Sequence, residues 1–351
     1  MINHGLSLLD RSRTRVGETE SEALTGTVAR AAHAERLGLD RFWVAEHHGV
    51  PGIAGAAPAV LLAAVAAATT TIRIGSAGVM LPHHQPLVVA EQFATLSAFA
   101  PGRVDLGLGR SPGFTAPVRR ALRQTGNDFA ADVTELRAFL TGTAEITLHP
   151  RPRGALPLYV LATGAGLGVA ARLGLPAIVG GPLLGVGGDP APGRAALADY
   201  RRSFRPSPQH PEPWVAISLD VVVADTAAEA TDLLLPEAWA MALGRTTGVF
   251  PPLEPVGAVR AASRTSRQQQ YLDRTVAAAI AGTPARVESA LDELFERTGA
   301  AELVTSGSTF DRAALAVSDA ELAALFVRPR PTGAPVPASP AGVAERPLVT
   351  R

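Results

Sequence analysis

The chain has 351 residues, of which 47% are hydrophobic and 18% charged, and its 32 basic and 32 acidic residues give a formal net charge of zero. This composition is typical of a protein with a compact core, and the absence of a strongly basic region argues against nucleic acid as a partner. Because the sequence has no lysine and no cysteine, it excludes Walker A and pyridoxal chemistry, disulfides, thiol nucleophiles and cysteine zinc sites.

Strand-like and helix-like segments alternate along the chain, which predicts βα units and a parallel sheet. The predicted strands cover residues 6–9, 41–45, 71–80, 104–108, 156–161, 177–179, 214–224 and 302–305. Capping boxes at Thr19 and Thr226 mark two helix starts, and Pro236 is expected to kink the second helix. Pro284 begins a further helix. Eight units of this kind predict the α/β fold class and a TIM (β/α)8 barrel.

Three segments are too long to be simple connections and are predicted to be insertions: residues 111–127, 143–154 and 244–270. The third lacks apolar periodicity and is rich in glycine, proline, serine and arginine, which predicts a lid loop over the barrel. Residues 329–351 are rich in proline and have little to bury. We therefore expect a barrel domain over residues 1–328, followed by a disordered tail over residues 329–351.

The sequence offers no segment expected to enter a membrane. The first ten residues are too short and polar for a signal peptide, and the apolar run at residues 56–68 is too short to cross a bilayer. A cytoplasmic protein without membrane contact is the expectation.

The tripeptide Glu46-His47-His48 lies at the end of the second predicted strand. Because side chains alternate along a strand, adjacent histidines point in opposite directions and make a poor pair for one metal ion. No HExxH spacing accompanies them, so no metal site is expected. At the mouth of a barrel, with Trp43 before it, His47 is the better candidate for catalysis, and a structural role is the alternative.

A second histidine doublet, His83-His84, follows Leu81-Pro82 in a loop after the third predicted strand. It either lines the same pocket as His47 or is a solvated pair. Upstream, Ser76-Ala77-Gly78 lies where that strand emerges at the mouth. Its small residues either leave room for a flat ring or simply pack well.

Two features favour a phosphate site. Arg110 ends the fourth predicted strand after Gly107 and Gly109, where the backbone can approach a ligand closely and a guanidinium can bind phosphate. A surface arginine is the alternative. The stretch from Thr163 through Gly164, Ala165 and Gly166 opens a helix, and the free amides of a helix N-terminus bind anions. Its G-x-G-x-G spacing, without an acidic residue after the next strand, excludes a Rossmann dinucleotide site.

Together, and in this order, these motifs resemble the bacterial luciferase-like flavin-dependent monooxygenases, and in particular the subgroup associated with antibiotic biosynthesis. The resemblance spans roughly residues 6 to 326. Its strongest marks are Trp43-Val-Ala-Glu-His-His48, Gly75-Ser-Ala-Gly-Val-Met-Leu-Pro82, Ala90-Glu-Gln92 and Gly102-Arg-Val-Asp-Leu-Gly-Leu-Gly-Arg110.

The resemblance implies a barrel that binds reduced FMN (FMNH2) and activates O2. It implies that His47 is the catalytic histidine, that Arg110 contacts the FMN phosphate, and that a non-proline cis peptide joins Ala77 to Gly78 beneath the isoalloxazine ring. Two departures are evident. Gly109 stands where the luciferase α subunit has a cysteine, and Thr163-Gly164 stands where it has a Glu-Ser pair near the phosphate.

The resulting hypothesis is an FMNH2-dependent monooxygenase that oxygenates an organic substrate such as a polyketide or another secondary metabolite. Trp43, His48 and His83 are expected to line the substrate pocket. A separate flavin reductase is expected to supply FMNH2, and a homodimer is expected through the alanine-rich helices at residues 58–70 and 86–98, which could equally pack on their own barrel. The alternatives are an F420-dependent hydride-transfer oxidoreductase on the same barrel and a non-catalytic flavin-binding partner subunit.

Overall fold

A computed structural model describes residues 1–123, 128–152 and 154–327 of the chain. In this part of the chain, eight parallel strands close into a barrel in which β1 pairs with both β2 and β10. The predicted TIM barrel is therefore confirmed. The barrel strands are β1 (Gly5–Asp10), β2 (Arg41–Val44), β3 (Arg73–Met80), β4 (Val104–Gly109), β5 (Leu158–Ala162), β6 (Ala177–Gly180), β7 (Val215–Leu219) and β10 (Glu302–Thr305). A separate two-stranded sheet consists of β8 (Val221–Val223) and β9 (Ile280–Gly282).

Helices surround the barrel and follow its strands. They are α1 (Glu20–Arg36), α2 (Pro58–Ala68), α3 (Pro86–Phe99), α4 (Ala116–Ala121), α5 (Phe129–Thr141), α6 (Gly166–Leu173), α7 (Ala191–Ser203), α8 (Ala227–Thr247), α9 (Val256–Ala261), α10 (Ser266–Ala277), α11 (Pro284–Thr298) and α12 (Arg312–Ala324). Both predicted capping boxes are present, at Thr19 before α1 and at Thr226 before α8. Such a cap stabilises a helix by about 1 kcal/mol.

The main hydrophobic core lies between the barrel and the helices, where residues such as Leu62, Phe93 and Leu106 are fully buried. A second, smaller cluster fills the barrel interior. There Trp43 meets Tyr159 edge to face, with ring centroids 5.4 Å apart. Gly75 makes this packing possible, because a Cβ at this position would lie 2.6 Å from Cζ3 of Trp43.

Charged side chains fill the N-terminal end of the barrel, opposite the C-terminal ends of the strands. Asp105 is fully buried on β4 and accepts hydrogen bonds from Arg73 at 2.6 and 2.9 Å and from Arg41 at 3.2 Å. Arg41 also contacts Glu302 on β10. Burial raises the pKa of Glu302 to about 7. Because they lie at the N-terminal face of the barrel, these contacts contribute to its stability rather than to its chemistry.

Two predicted elements differ in the structure. The single strand expected over residues 214–224 is divided at Asp220, because β7 stays in the barrel whereas β8 leaves it to pair with β9. The loop expected over residues 244–270 is largely helical, since α8 continues to Thr247 and α9 and α10 follow it. The tail predicted over residues 329–351 lies outside the described residues, as does part of the first predicted insertion.

Candidate active site

The C-terminal ends of the barrel strands carry the predicted site residues. On β3, the peptide bond between Ala77 and Gly78 is cis, as the resemblance implied. The pairing of β3 with β4 shifts register at this point, between Ala77 and Val79. Gly78 lies close to the neighbouring strand, since a Cβ there would be 2.7 Å from the carbonyl oxygen of Gly107. The small residues of this segment therefore allow β3 and β4 to approach each other closely.

His47 lies three residues beyond the end of β2 and is held by its backbone N–H, which donates to the carbonyl oxygen of Gly55 at 2.9 Å. Its side-chain Nδ1 is buried and has no hydrogen-bond partner among the described residues. Burial, together with the positive charges of Arg11 and Arg13, lowers the pKa of His47 to about 4. The imidazole is therefore neutral at pH 7 and can accept a proton or a hydrogen bond.

Sequence reasoning missed the charged group beside His47. Glu237 of α8 is buried and accepts a hydrogen bond from Nε of Arg13 at 2.8 Å, and its other oxygen lies 3.2 Å from Nη1 of Arg11. Arg11 also donates to the carbonyl oxygen of Ser306 at 3.1 Å and lies 3.8 Å from Asp220. Burial alone would raise the pKa of Glu237, but the two arginines lower it. The sequence signal was two arginines directly after a predicted strand.

A second polar group involves Glu46. Its Oε1 accepts a hydrogen bond from Nε2 of His48 at 2.6 Å and from Nε2 of His84 at 2.7 Å. Its Oε2 accepts from the backbone N–H of Met80 at 2.9 Å. Burial alone would raise the pKa of Glu46. The hydrogen bonds outweigh this effect, and the pKa is lowered to about 2. The two histidine doublets are therefore connected through one carboxylate, which their separation in sequence did not suggest.

His83 and Arg110 lie at the same edge of the barrel. Nε2 of His83 lies 3.1 Å from the carbonyl oxygen of Ser111, the residue after Arg110. Arg110 itself is exposed, and its guanidinium has no hydrogen bond or ion pair with the described residues. It is therefore free to bind an anion.

The 163–166 turn, which consists of Thr163, Gly164, Ala165 and Gly166, leads from β5 into α6. Its first three residues are exposed. The backbone N–H groups of Gly164, Ala165 and Gly166 have no acceptor within the described part of the chain. A Cβ at Gly164 would meet no atom within 4 Å, so the space beside this turn is open. Free amides at a helix N-terminus are suited to bind phosphate.

Arg110 and the 163–166 turn follow adjacent strands. Because Leu108 of β4 is paired with Val160 of β5, both features come shortly after the last paired residues, at the same edge of the barrel. The sheet register thus brings the guanidinium of Arg110 and the free amides of the 163–166 turn to the same edge of the barrel. More than 50 positions separate them in the sequence.

Trp43, which is expected to line the substrate pocket, lies on β2. Its side chain is fully buried in the barrel interior, and its indole N–H has no partner among the described residues. It packs beneath the mouth of the barrel, in the same cluster as Ala77. That Trp43 lines the substrate pocket stays a prediction.

Among the described residues, no helix is both long and apolar enough to span a membrane. The sequence model of the family described as "Luciferase-like monooxygenase" matches residues 2–308. A "Luciferase-like monooxygenase" from Escherichia coli strain K12 is 34% identical over 322 residues, which cover 88% of this chain and 92% of that protein. The "N-acetyl-S-alkylcysteine monooxygenase" of Bacillus subtilis strain 168 is 45% identical over 157 residues, which cover 42% of this chain and 47% of that protein.

Among solved structures, apo-MsnO8 aligns with a TM-score of 0.81 and 32% identity, covering 92% of this chain and 97% of that one. The family match covers most of the chain, and both the relative from Escherichia coli and this structure align over nearly their whole lengths. The chain therefore belongs to the luciferase-like monooxygenase family, whose members are oxidoreductases.

Proposed function

We propose that this protein is a flavin-dependent monooxygenase that uses reduced FMN and O2 to oxygenate an organic substrate. The observation that carries the proposal is that the free guanidinium of Arg110 and the free amides of the 163–166 turn follow adjacent strands at the same edge of the barrel. This pair suits the terminal phosphate of FMN, because the guanidinium supplies charge and the amides supply directed donors. The open space at Gly164 leaves room for the phosphate oxygens.

In the proposal, the flavin ring binds at the ends of β2 and β3. Ala77 and Gly78 are buried and carry no long side chains, and in the proposed complex the flat ring lies against the cis peptide between them. When bound, the reduced flavin supplies the electrons with which O2 is activated. His47 lies at the same strand ends, with a neutral imidazole and an unpartnered Nδ1. In the proposed mechanism this Nδ1 accepts a hydrogen bond or a proton from the reacting groups.

The segment over residues 244–270 covers the site in the proposed mechanism, although it is built of helices. Phe250 and Leu253, in the connection between α8 and α9, are buried. The guanidinium carbon of Arg13 lies 4.3 Å from the centroid of the Phe250 ring. The backbone N–H of Leu253 donates to the carbonyl oxygen of Thr14. These contacts put apolar side chains beside the charged group that neighbours His47. Their role is to exclude water from the reacting groups.

Two protein partners belong to the proposal. A separate flavin reductase supplies FMNH2, since the sequence carries no dinucleotide fingerprint. A second copy of the chain packs on the α2–α3 face, which we define by the exposed apolar side chains of Val60, Val88 and Phe99. The other exposed positions of α2 are all alanines. Such a face buries apolar area when two copies meet.

The test is an anaerobic titration with photoreduced FMN, followed by oxygen uptake with candidate substrates. We expect saturable binding of FMNH2 by the purified protein, and weaker binding by at least about tenfold in Arg110→Ala, because a phosphate contact is lost. Arg36→Ala is the matched control, since Arg36 is an exposed arginine at the end of α1, shortly before β2 begins and therefore towards the N-terminal end of the strands. If FMNH2 did not bind while F420 did, the cofactor assignment would be wrong. Binding without substrate-dependent oxygen uptake would contradict the monooxygenase activity.

A further inference from the structure

Glu46, His48 and His84 form a compact cluster that the proposed oxygenation chemistry does not use. One ligand atom from each residue, an oxygen of Glu46 and a ring nitrogen of each histidine, lies within 4.8 Å of the other two. Both Nε2 atoms meet the same carboxylate oxygen, at 2.6 and 2.7 Å. Three atoms at this separation can share one metal ion after small side-chain movements, because metal–ligand distances near 2.1 Å in a tetrahedral site place ligand atoms about 3.4 Å apart.

The surroundings hold the carboxylate in place. The side chain of Glu46 is fully buried, and its second oxygen accepts the backbone N–H of Met80 at 2.9 Å. A hydrogen bond to a ligating carboxylate is the usual way in which a protein orients a metal ligand. Glu46 therefore offers one oxygen whose direction is fixed by β3, and no rearrangement of the backbone is needed to present it.

The two histidines lie on the solvent side of the cluster. Their side chains are 22% and 28% exposed for His48 and His84, respectively, so the cluster is buried on the carboxylate side and accessible to solvent on the imidazole side. An ion bound there would have three protein ligands and open positions for water, which is the pattern of reactive rather than structural zinc sites. Each neutral imidazole can ligate through Nε2 when its proton resides on Nδ1.

The donor set selects the kind of ion. Two imidazole nitrogens and one carboxylate oxygen suit divalent first-row transition ions, whereas Mg²⁺ and Ca²⁺ prefer oxygen ligands alone. We propose that Glu46, His48 and His84 form a binding site for one divalent transition-metal ion of the zinc type at the mouth of the barrel. The inference goes beyond the proposed function and does not depend on flavin binding.

The experiment measures binding of Zn²⁺ alone by calorimetry, and the visible absorption of Co²⁺ as a substitute, on protein first treated with chelator and dialysed. We expect one equivalent of Zn²⁺ to bind, with an affinity at least about tenfold lower in His48→Gln and His84→Gln, because each variant removes one of three ligands. Glutamine keeps an N–H that can donate to Glu46, so these variants retain a hydrogen bond to the buried carboxylate.

His83→Gln is the matched control. His83 is adjacent to His84, but its Nε2 lies against the carbonyl oxygen of Ser111 and outside the cluster. We expect this variant to bind Zn²⁺ as the unaltered protein does. Thermal unfolding without metal verifies that all three variants are folded. The inference is overturned if the unaltered protein shows no stoichiometric binding, or if His48→Gln and His84→Gln bind as tightly as His83→Gln does; the cluster would then be a hydrogen-bonded group only.

Discussion

Arg13 donates its Nε–H to Oε2 of Glu237 at 2.8 Å, and this ion pair joins the segment after β1 to α8 across 224 positions of the sequence. Both side chains are almost completely buried. Arg11 approaches the same carboxylate at 3.2 Å. The carboxylate thus neutralises part of the positive charge that Arg11 and Arg13 place near His47, and it ties α8 to the segment after β1.

Removal of this carboxylate should destabilise the protein strongly. We expect Glu237→Ala to lower the free energy of unfolding by about 3 kcal/mol or more at pH 7, because two buried guanidinium groups lose their counter-charge. Glu293→Ala, at an exposed position of α11, should change it by less than about 0.5 kcal/mol. Urea unfolding of both variants measures the difference.

The sign of the pH dependence provides a second check on the same pair. The pKa of Glu237 is lowered in the folded protein, so its contribution is present above the ordinary pKa of 4.5 and is lost as the pH falls through the folded value. The difference in stability between the unaltered protein and Glu237→Ala should therefore shrink under acidic conditions. A difference that grew on acidification would contradict the assignment.

The imidazole of His47 should titrate near pH 4 in the folded protein, below its ordinary value of 6.5. Because the unfolded chain binds this proton more readily, the contribution of His47 to stability is complete above pH 6.5 and falls between pH 6.5 and 4, by at most about 1.4 kcal/mol per pH unit. NMR titration of the imidazole measures the pKa directly. Arg13→Gln should raise this pKa, since one neighbouring positive charge is removed; an unchanged or lower value would contradict the proposed cause.

Neutral His47 is also expected to act in turnover. We expect His47→Ala to reduce the rate of substrate-dependent oxygen uptake by about 10²-fold or more, which is typical of the loss of a proton-transfer group. Binding of FMNH2 should change much less, because the phosphate contacts of Arg110 and the 163–166 turn remain. A variant with full oxygen uptake would show that His47 has no catalytic role.

Much of the barrel could be predicted from the sequence, because each strand is a short apolar run followed by glycine or polar residues. The division of the seventh predicted strand at Asp220 could not, since the residues on both sides are equally apolar. For residues 244–270, apolar periodicity was weak because α10 exposes most of its surface and buries mainly Leu272. The missed local signal was a capping box, in which Thr265 and Gln268 begin α10.

In the candidate site, too, some features could be predicted from the sequence and others could not. Residues that act singly at strand ends, such as His47 and Arg110, could be proposed from local sequence. Pairs such as Glu46 with His84 could not, because 38 positions separate them and closure of the barrel brings them together. For Trp43, the sequence correctly indicated a place on a strand, but its edge-to-face contact with Tyr159 depends on a residue of another strand, 116 positions away.

Gly164→Ala should weaken flavin binding without affecting the fold. A Cβ at this position meets no protein atom within 4 Å, so we expect an unchanged thermal unfolding temperature. The same Cβ would enter the space proposed for the phosphate, and binding of FMNH2 should weaken by about tenfold. Gly168→Ala, on the same helix but outside the 163–166 turn, is the control, since its Cβ would make an ordinary contact at 3.5 Å with Arg172. Equal binding by the two variants would argue against a phosphate at this turn.

The α2–α3 face should hold two copies of the chain together in solution. Val60 and Phe99 are 73% and 70% exposed, and burial of these side chains favours association by the apolar area removed from water. Light scattering coupled to size exclusion should therefore give about twice the mass of one chain. We expect Val60→Arg combined with Phe99→Arg to give the mass of a single chain, because the paired faces would bury unpaired charges. Val317→Arg, at an exposed apolar position of α12, should leave the mass unchanged. A monomeric unaltered protein, or a double variant that remains dimeric, would exclude this face as the interface.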